Sequence, residues 1–297
     1  MALSENLRGI LAMSLSMAAF TINDTLMKSV TSAMPLFQAI ALRGGFAILG
    51  LIVIARANGA FRQSLSRKDT VLTGLRSLAE VFATYFFLTA LMHMPLANLS
   101  AIMQVLPLAV TLGAAVVFGD RIGWRRMLAI LVGLVGVLII IRPGTDNFDR
   151  YALFGLASVA SVVVRDLAAR RISAEVSSSL VALAAAVAVT VMGGVVTLGQ
   201  GWVPVTGSGM AHVLGASAFL IVGTICSVTA MRHGDIGIVS PFRYTALLWA
   251  IVLGYLIFGS LPDGWTLIGA TIVVAAGLFT LLRERRLRAA AMASKRV

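Results

Sequence analysis

"NLSAIMQVLPLAVTLGAAVVFGDRIGWRRMLAILVGLVGVLIIIR" (residues 98–142) sets two apolar runs on either side of a hairpin that carries Asp120, Arg121, Arg125 and Arg126. Each run holds about 20 residues, enough for a helix rising 1.5 Å per residue to cross a hydrocarbon core about 30 Å thick. Charges at the hairpin and almost none within the runs describe a membrane hairpin. A soluble helical pair would need a polar face along its length.

The rest of the chain follows the same pattern. Of 297 residues, 59% are hydrophobic and 12% charged, and the mean hydropathy is +0.96. Soluble domains carry about 25% charged residues. The apolar runs predict ten spans, at 9–29, 35–55, 70–91, 95–118, 125–142, 151–171, 178–198, 210–230, 236–258 and 265–283. The connections are too short to hold a soluble domain. Arg8 ahead of an apolar core resembles a signal peptide, but no clean cleavage site follows and Asp24 and Lys28 fall within the run, so it reads as a retained helix.

Basic residues collect on the cytoplasmic side of membrane proteins. With an inside N-terminus, 17 of the 24 Lys and Arg fall inside and three (Lys28, Arg142, Arg150) outside. The other four, Arg43, Arg76, Arg165 and Arg243, lie within spans. Both termini are therefore expected in the cytoplasm. The net charge of +12 is spread over several loops and the tail, which fits anionic lipid and not nucleic acid. Cys226 is the single cysteine, so neither an intrachain disulfide nor a thiolate metal cluster is available.

Residues 98–142 have a second copy, "IVSPFRYTALLWAIVLGYLIFGSLPDGWTLIGATIVVAAGLFTLLR" (238–283). Ser100 aligns with Ser240, Phe118-Gly119 with Phe258-Gly259, Trp124 with Trp265, Gly136 with Gly277 and Arg142 with Arg283. "NDTLMKS" (23–29) likewise answers to "RDLAARR" (165–171), matching Asp24 to Asp166. Five spans per copy is an odd number, so the second copy enters the membrane from the opposite side. Inverted repeats of this kind recur in secondary transporters. The predicted fold is an all-α membrane protein of ten helices in two inverted five-helix repeats, 1–146 and 147–297, the second ending in a basic tail.

The segment 87–140, with "MPLFQAIALRGGFA" (34–47), resembles the EamA-type domain of the drug/metabolite transporter superfamily. The likeness covers essentially all ten spans in two copies, and the whole chain is similar to amino-acid exporters of that superfamily. Three positions depart from the family pattern. Asp120 stands where Glu is usual, its second-copy equivalent is Ser260, and Pro107 has no counterpart in the second copy. The resemblance implies export of amino acids, aromatic and other neutral ones among them, or of similar small metabolites, through the inner membrane of a bacterium.

A charge near the bilayer centre costs about 2.5–3.5 kcal/mol even on insertion scales, so such residues usually face the bundle interior. Asn23 and Asp24 lie toward the outer end of the first span, and Arg165 and Asp166 toward the inner end of the sixth. Two readings stand: outer and inner closures of a pathway, or interfacial i,i+4 pairs of Asp24 with Lys28 and Asp166 with Arg170. Arg76 and Glu80 share one face of the third span. Glu80, the lone mid-depth carboxylate, is either a proton-coupling site or a structural partner of Arg76.

Arg43 and Arg243 have no acid within their own helices and can attract a substrate carboxylate. Ser100 and Ser240 allow close helix approach, and Gln104 and Tyr244, one turn beyond, can hydrogen-bond a zwitterion. Tyr85, Phe86, Phe87 and Trp249 form either an apolar wall or a lipid-facing surface. The fifth and tenth spans carry no ionisable residue between their ends and are expected at the periphery. Pro241 removes a backbone donor and is expected to kink the ninth.

No G-x-x-x-x-G-K-[ST] is present, so transport would be gradient-driven, with the proton as one candidate, or facilitative. A multidrug or other metabolite exporter and a channel-like facilitator are the alternatives. His93, His212 and His233 lack paired metal-ligand spacing and G-x-S-x-G is absent, so no catalytic residue, metal or cofactor is expected. Nothing in the sequence fixes the oligomeric state.

The basic asymmetry predicts that positions 64, 122 and 290 face the cytoplasm and 147, 204 and 262 the outside. Single cysteines there, in a Cys226→Ser background, should react accordingly with an impermeant thiol reagent on intact cells. Labelling of position 64 or 290 without permeabilisation would reverse the orientation.

Overall fold

The computed structural model describes residues 2–57, 59–63, 65–119, 123–145, 148–173, 175–233 and 236–294. Asp120 and Arg121, singled out in the sequence, lie outside them, as do probe positions 64, 122 and 147.

The helices are α1 (Ala2–Val30), α2 (Leu36–Ala57), α3 (Arg67–His93), α4 (Leu96–Met103), α5 (Leu106–Phe118), α6 (Trp124–Ile141), α7 (Tyr151–Ala169), α8 (Ser178–Gln200), α9 (Gly207–His233), α10 (Ile236–Val239), α11 (Thr245–Phe258) and α12 (Gly264–Ser294). Short 3-10 turns occupy Ala60–Arg62 and Ser240–Tyr244, and among the described residues there is no strand. Among the described residues ten segments are long and apolar enough to span a membrane, from Glu5–Val30 to Gly264–Arg283. The protein is an all-α, multi-pass membrane protein. Its spans begin and end within a few residues of the apolar runs, because run length alone decides where a helix leaves hydrocarbon.

Two spans are broken, at positions that the sequence repeat aligns. The fourth, Leu96–Phe118, is interrupted at Gln104 and Val105 between α4 and α5. Pro107 has no N–H to offer the Met103 carbonyl, and the Leu108 N–H bonds Val105 at 3.0 Å, one residue short of helical register. The ninth, Ser240–Phe258, opens as a 3-10 turn containing Pro241 and becomes α-helical only after Tyr244. Pro241 stands second in that turn, so a change of helix type accompanies its missing N–H.

The chain divides into two packing units, each drawing on both halves of the sequence. The first comprises Met1–Thr21, Pro95–Ala152 and Val222–Val297. In it α6 lies along α12, and the two backbones meet at glycine: a Cβ on Gly136 would stand 2.8 Å from the Gly269 carbonyl oxygen. Ser16 donates to the Gly223 carbonyl at 2.8 Å, and the Phe20 ring covers that glycine. Met13, Ala230 and Val239 form a small buried cluster. Arg142, at φ 51°, ends α6 in the left-handed region and bonds Asp263. Burial works to raise the Asp263 carboxyl. The Thr266 N–H and the Arg142 guanidinium outweigh it and hold the group below the usual aspartate range.

The second unit comprises Ile22–Met94 and Leu153–Ile221. Here α2 packs along α8, with Gly193 so close that a Cβ would meet the Ala41 nitrogen at 2.9 Å and the Phe37 carbonyl oxygen at 3.0 Å. One end is tied by Gln38, which bonds both the carbonyl and the N–H of Val203 at 2.7 and 3.0 Å. At the other end Gln63 accepts from the Ser177 N–H at 2.8 Å, and Asp69 accepts from Ser173. In each of these pairs, and in Arg142–Asp263, the sequence assigns both members to one side of the membrane.

The close approach at Gly193 gives a test with an internal control. Gly194 has open space where its Cβ would go. Gly194→Ala should therefore be neutral or slightly stabilising through helix propensity. Gly193→Ala should destabilise by about 1–3 kcal/mol through overpacking. Thermal unfolding in detergent measures both, and equal effects would show that α2 and α8 do not depend on this contact.

Candidate functional site

The partly buried charges of the second unit form one connected set drawn from four helices. Asn23 and Asp24 come from α1, Arg43 from α2, Arg76 and Glu80 from α3, and Arg165 and Asp166 from α7. Asn23, only 3% exposed, donates to Asp24 Oδ1 at 2.9 Å and accepts from Arg43 Nη1 at 3.3 Å. Arg43 feels the charges of both Asp24 and Glu80. Glu80 in turn binds Arg165 Nη1 at 3.3 and 3.4 Å and Arg76 Nη2 at 3.8 Å. Arg165 Nε closes the series on Asp166 Oδ1 at 2.9 Å. Three guanidiniums thus meet three carboxylates.

Helix geometry explains the placement. Arg76 and Glu80 are four residues apart and share one face of α3, which α7 approaches closely enough for Ser158 to donate to the Ala83 carbonyl at 3.1 Å. On α2, the absent side chain of Gly44 makes room for Thr190 Oγ1 of α8 beside Arg43, and Ser217 of α9 donates to the Arg43 carbonyl at 3.2 Å. The magnitudes favour pairing. At 3.3 Å and an effective dielectric constant of 20, the Coulomb attraction is about 5 kcal/mol. Placing the pair's two charges at mid-membrane costs about 5–7 kcal/mol, so a close pair offsets most of its own insertion cost.

The sequence left Glu80 between Arg76 and a coupling role. The structure contains the Arg76 pair and adds Arg165 at shorter range. Arg43, which has no acid within its own helix, finds its partner Asn23 on α1. Even so, hydrogen-bonding capacity remains. Arg43 Nε and Arg76 Nη1 are buried without an acceptor, as are the hydroxyls of Thr73 and Ser77 on α3. Buried donors of this kind are uncommon and are natural docking points for an anionic group.

Beside the charges lies an aromatic cluster. Tyr85 stacks on Phe37 at 6.0 Å and meets Phe86 edge-on at 5.3 Å, and Phe154 stands 5.8 Å from Phe86. A cleft of about 610 Å³ opens against this cluster, bordered by Met34, Phe37, Tyr85, Met92 and His93. Phe37 and Phe154 were not singled out in the sequence. Their only signal was aromatic character in otherwise aliphatic spans.

The remaining predicted residues belong to the first unit. Gln104, 7% exposed, sits at the break between α4 and α5, one turn beyond Ser100, whose carbonyl accepts its N–H at 3.2 Å. Ser240, Arg243 and Tyr244 form the 3-10 turn before α11; Arg243 is exposed, while Tyr244 is buried under Gly277 with its hydroxyl lacking an acceptor. Trp249 is 39% exposed. Among the described residues no group of three or more His, Cys, Asp or Glu is placed to hold a metal.

Glu80 is the shared acceptor of this network. Arg165→Gln should lower thermal stability more than Arg76→Gln, since it breaks the shorter, interhelical bridge. Loss of one partner of a buried pair costs about 3–5 kcal/mol, less where water reaches it. Equal losses, or a larger one for Arg76→Gln, would show that α3 and α7 are not joined chiefly through Glu80.

Comparison with known proteins places this geometry in context. Residues 7–142 match the EamA-like transporter family. The chain is 26% identical over 278 residues to the pseudopaline exporter of Pseudomonas aeruginosa, covering 90% of this chain and 94% of that one. It is 25% identical over 287 residues to the S-adenosylmethionine uptake transporter of Rickettsia prowazekii, covering 96% of each. It is 24% identical over 276 residues to a riboflavin transporter of Vibrio cholerae, covering 92% of each. A solved crystal structure shares the fold with a TM-score of 0.63 at 22% identity, over 93% of this chain and 98% of that one.

Proposed function

We propose a function from one premise: the chain belongs to the drug/metabolite transporter superfamily, with an EamA-like transporter domain over residues 7–142. On this reading the protein is a secondary transporter of the bacterial inner membrane, with both termini cytoplasmic. It exports amino acids, aromatic and other neutral ones among them, or related carboxylate-bearing metabolites. Its cycle is alternating access between two inverted repeats. The observation that carries the substrate class is the pair of buried, unused donors, Arg43 Nε and Arg76 Nη1, within a set whose other members are already paired. A substrate carboxylate supplies what those donors lack, and the Phe37–Tyr85 stack offers an apolar surface to an aromatic side chain.

Two features support the repeat. Helices equivalent in the sequence alignment pack on one another, α2 on α8 in one unit and α6 on α12 in the other. The interruptions at Gln104 and Tyr244 fall at aligned positions, and broken helices are where transporters of this architecture bind their substrates. The two arginines that hold Glu80 favour a structural role for it over proton coupling.

A second reading, another class of metabolite or the inward direction, draws on the relatives. They are named for pseudopaline export, S-adenosylmethionine uptake and riboflavin transport.

Countercurrent exchange in proteoliposomes separates these readings. Labelled amino acids should exchange saturably, and their amides, which lack the carboxylate, should lose at least about tenfold in apparent affinity. Arg43→Gln should bring the acids down to the level of the amides. Amides transported as well as acids would remove the carboxylate reading. Unsaturable flux would point to a channel. A pH dependence that Glu80→Gln abolishes would give Glu80 a proton-carrying role.

A further inference from the structure

The loop-facing end of α3 carries a site unrelated to the transported molecule. Arg67 and Lys68 form the first turn of this helix, and Arg171 comes from the connection between α7 and α8. Together with Val71 and Leu72 they line a cleft of about 450 Å³ with no acidic residue in its lining. All three basic side chains are exposed, and Val71, one turn into the span, is 64% exposed.

Arg171 is held near Arg67 and Lys68 by a carboxylate of the same helix turn. Asp69 is 4% exposed and turned into the protein. It accepts from Ser66 Oγ at 2.7 Å, from the Ser173 N–H at 3.0 Å and from Ser173 Oγ at 3.0 and 3.1 Å. Its own N–H bonds Ser66 Oγ at 3.1 Å and caps the helix. The Asp69–Ser173 clasp thus pins the α7–α8 connection, with Arg171, against the start of α3. It also commits both Asp69 oxygens to Ser66 and Ser173, so that the acid reaches Lys68 only through its charge and lines no part of the cleft. Gln63, bonded to the Ser177 N–H at 2.8 Å, straps the same connection a second time.

We propose that this cleft is a binding site for an anionic phospholipid, with the headgroup phosphate among Arg67, Lys68 and Arg171 and an acyl chain running over Val71 and Leu72. The arrangement matches the ligand in order: cations at the end of the span, then exposed apolar side chains toward the bilayer. The helix N-terminus adds its dipole and free N–H groups to the basic side chains. A soluble phosphate has no use for the apolar wall, so the lipid is the occupant. The site joins α3, which carries Arg76 and Glu80, to the connection following α7, which carries Arg165 and Asp166. Lipid bound there braces the two helices that the Glu80 bridge holds deeper in the membrane.

Native mass spectrometry of the purified full-length protein, offered equal phosphatidylglycerol and phosphatidylcholine of matched chains, tests the site. The parent should retain phosphatidylglycerol preferentially. Each basic side chain near anionic lipid is worth roughly fivefold. Arg67→Gln with Lys68→Gln and Arg171→Gln should reduce that preference by at least about tenfold, while Arg67→Lys with Arg171→Lys should keep it. Removing three charges elsewhere, by Arg283→Gln, Arg285→Gln and Arg286→Gln, should change it less than about twofold. Asp69→Asn with Ser173→Ala keeps every cation but unties the clasp, and should lose the preference too. A control triple as damaging as the cleft triple, an unaffected clasp variant, or displacement of the lipid by excess inorganic phosphate would each overturn the proposal. Elution of every variant at the parent's size-exclusion volume separates loss of lipid from loss of fold.

Discussion

Glu80 is bound by two arginines, one on its own helix and one on α7, and much of the second unit depends on that arrangement. A carboxylate or a guanidinium alone in hydrocarbon costs more than most single contacts return, so each charge requires a partner close at hand. Arg76 satisfies this locally, at i,i+4. Arg165 satisfies it only if α7 lies against α3 in one register, so the need to pair a charge becomes a constraint on helix packing. The same need reaches α1 and α2 through Asn23, Asp24 and Arg43. Equal numbers of both signs make the set tolerable in the membrane, and Arg43 Nε and Arg76 Nη1 remain without acceptors.

Glycine sets the second constraint. Without a hydrophobic driving force between helices in lipid, close backbone approach supplies the packing. It does so at Gly136 with Gly269 and at Gly193 with the turn from Phe37 to Ala41. The second of these contacts joins α8, which carries no charged residue, to α2, which carries Arg43. In the second unit Arg43 therefore sits on one member of a tightly packed helix pair, two residues beyond the Ala41 nitrogen that Gly193 approaches.

The sequence made the spans legible because their signal is local: a run of about 20 apolar residues announces a crossing wherever it occurs. It also placed Glu80 with Arg76, since i,i+4 spacing on a helix is a contact. The Arg165 contact spans 85 positions and the Asp69–Ser173 clasp spans 104, and no periodicity encodes either. The partner of Arg43 stayed hidden for the same reason, Asn23 being 20 residues earlier on another helix. Phe37 and Phe154 escaped notice because an aromatic ring in a membrane span faces lipid as readily as a neighbour.

The two broken helices show what kind of information the repeat carries. In the first copy Pro107 stands three residues beyond the interruption at Gln104; in the second Pro241 stands three residues before Tyr244. The prolines do not align, and the first copy has an α-helix where the second has a 3-10 turn. Yet α-helix resumes within one residue of the same aligned point, at Leu106 after Val105 and at Thr245 after Tyr244. A shared proline did not fix the break; two different backbone solutions reach it. That is the outcome expected where the position of the interruption matters more than the residue that produces it. An unwound turn frees backbone carbonyls and N–H groups in the middle of a span, where only a ligand, water or a neighbouring side chain can satisfy them. Gln104 and Tyr244 are the side chains at that level, one an amide and one a phenol whose hydroxyl has no acceptor. The Gln104 N–H bonds back to Ser100 and Ala101 at the first break, whereas at the second the Tyr244 hydroxyl stands against Gly277 of α12 with its hydrogen-bonding capacity unused.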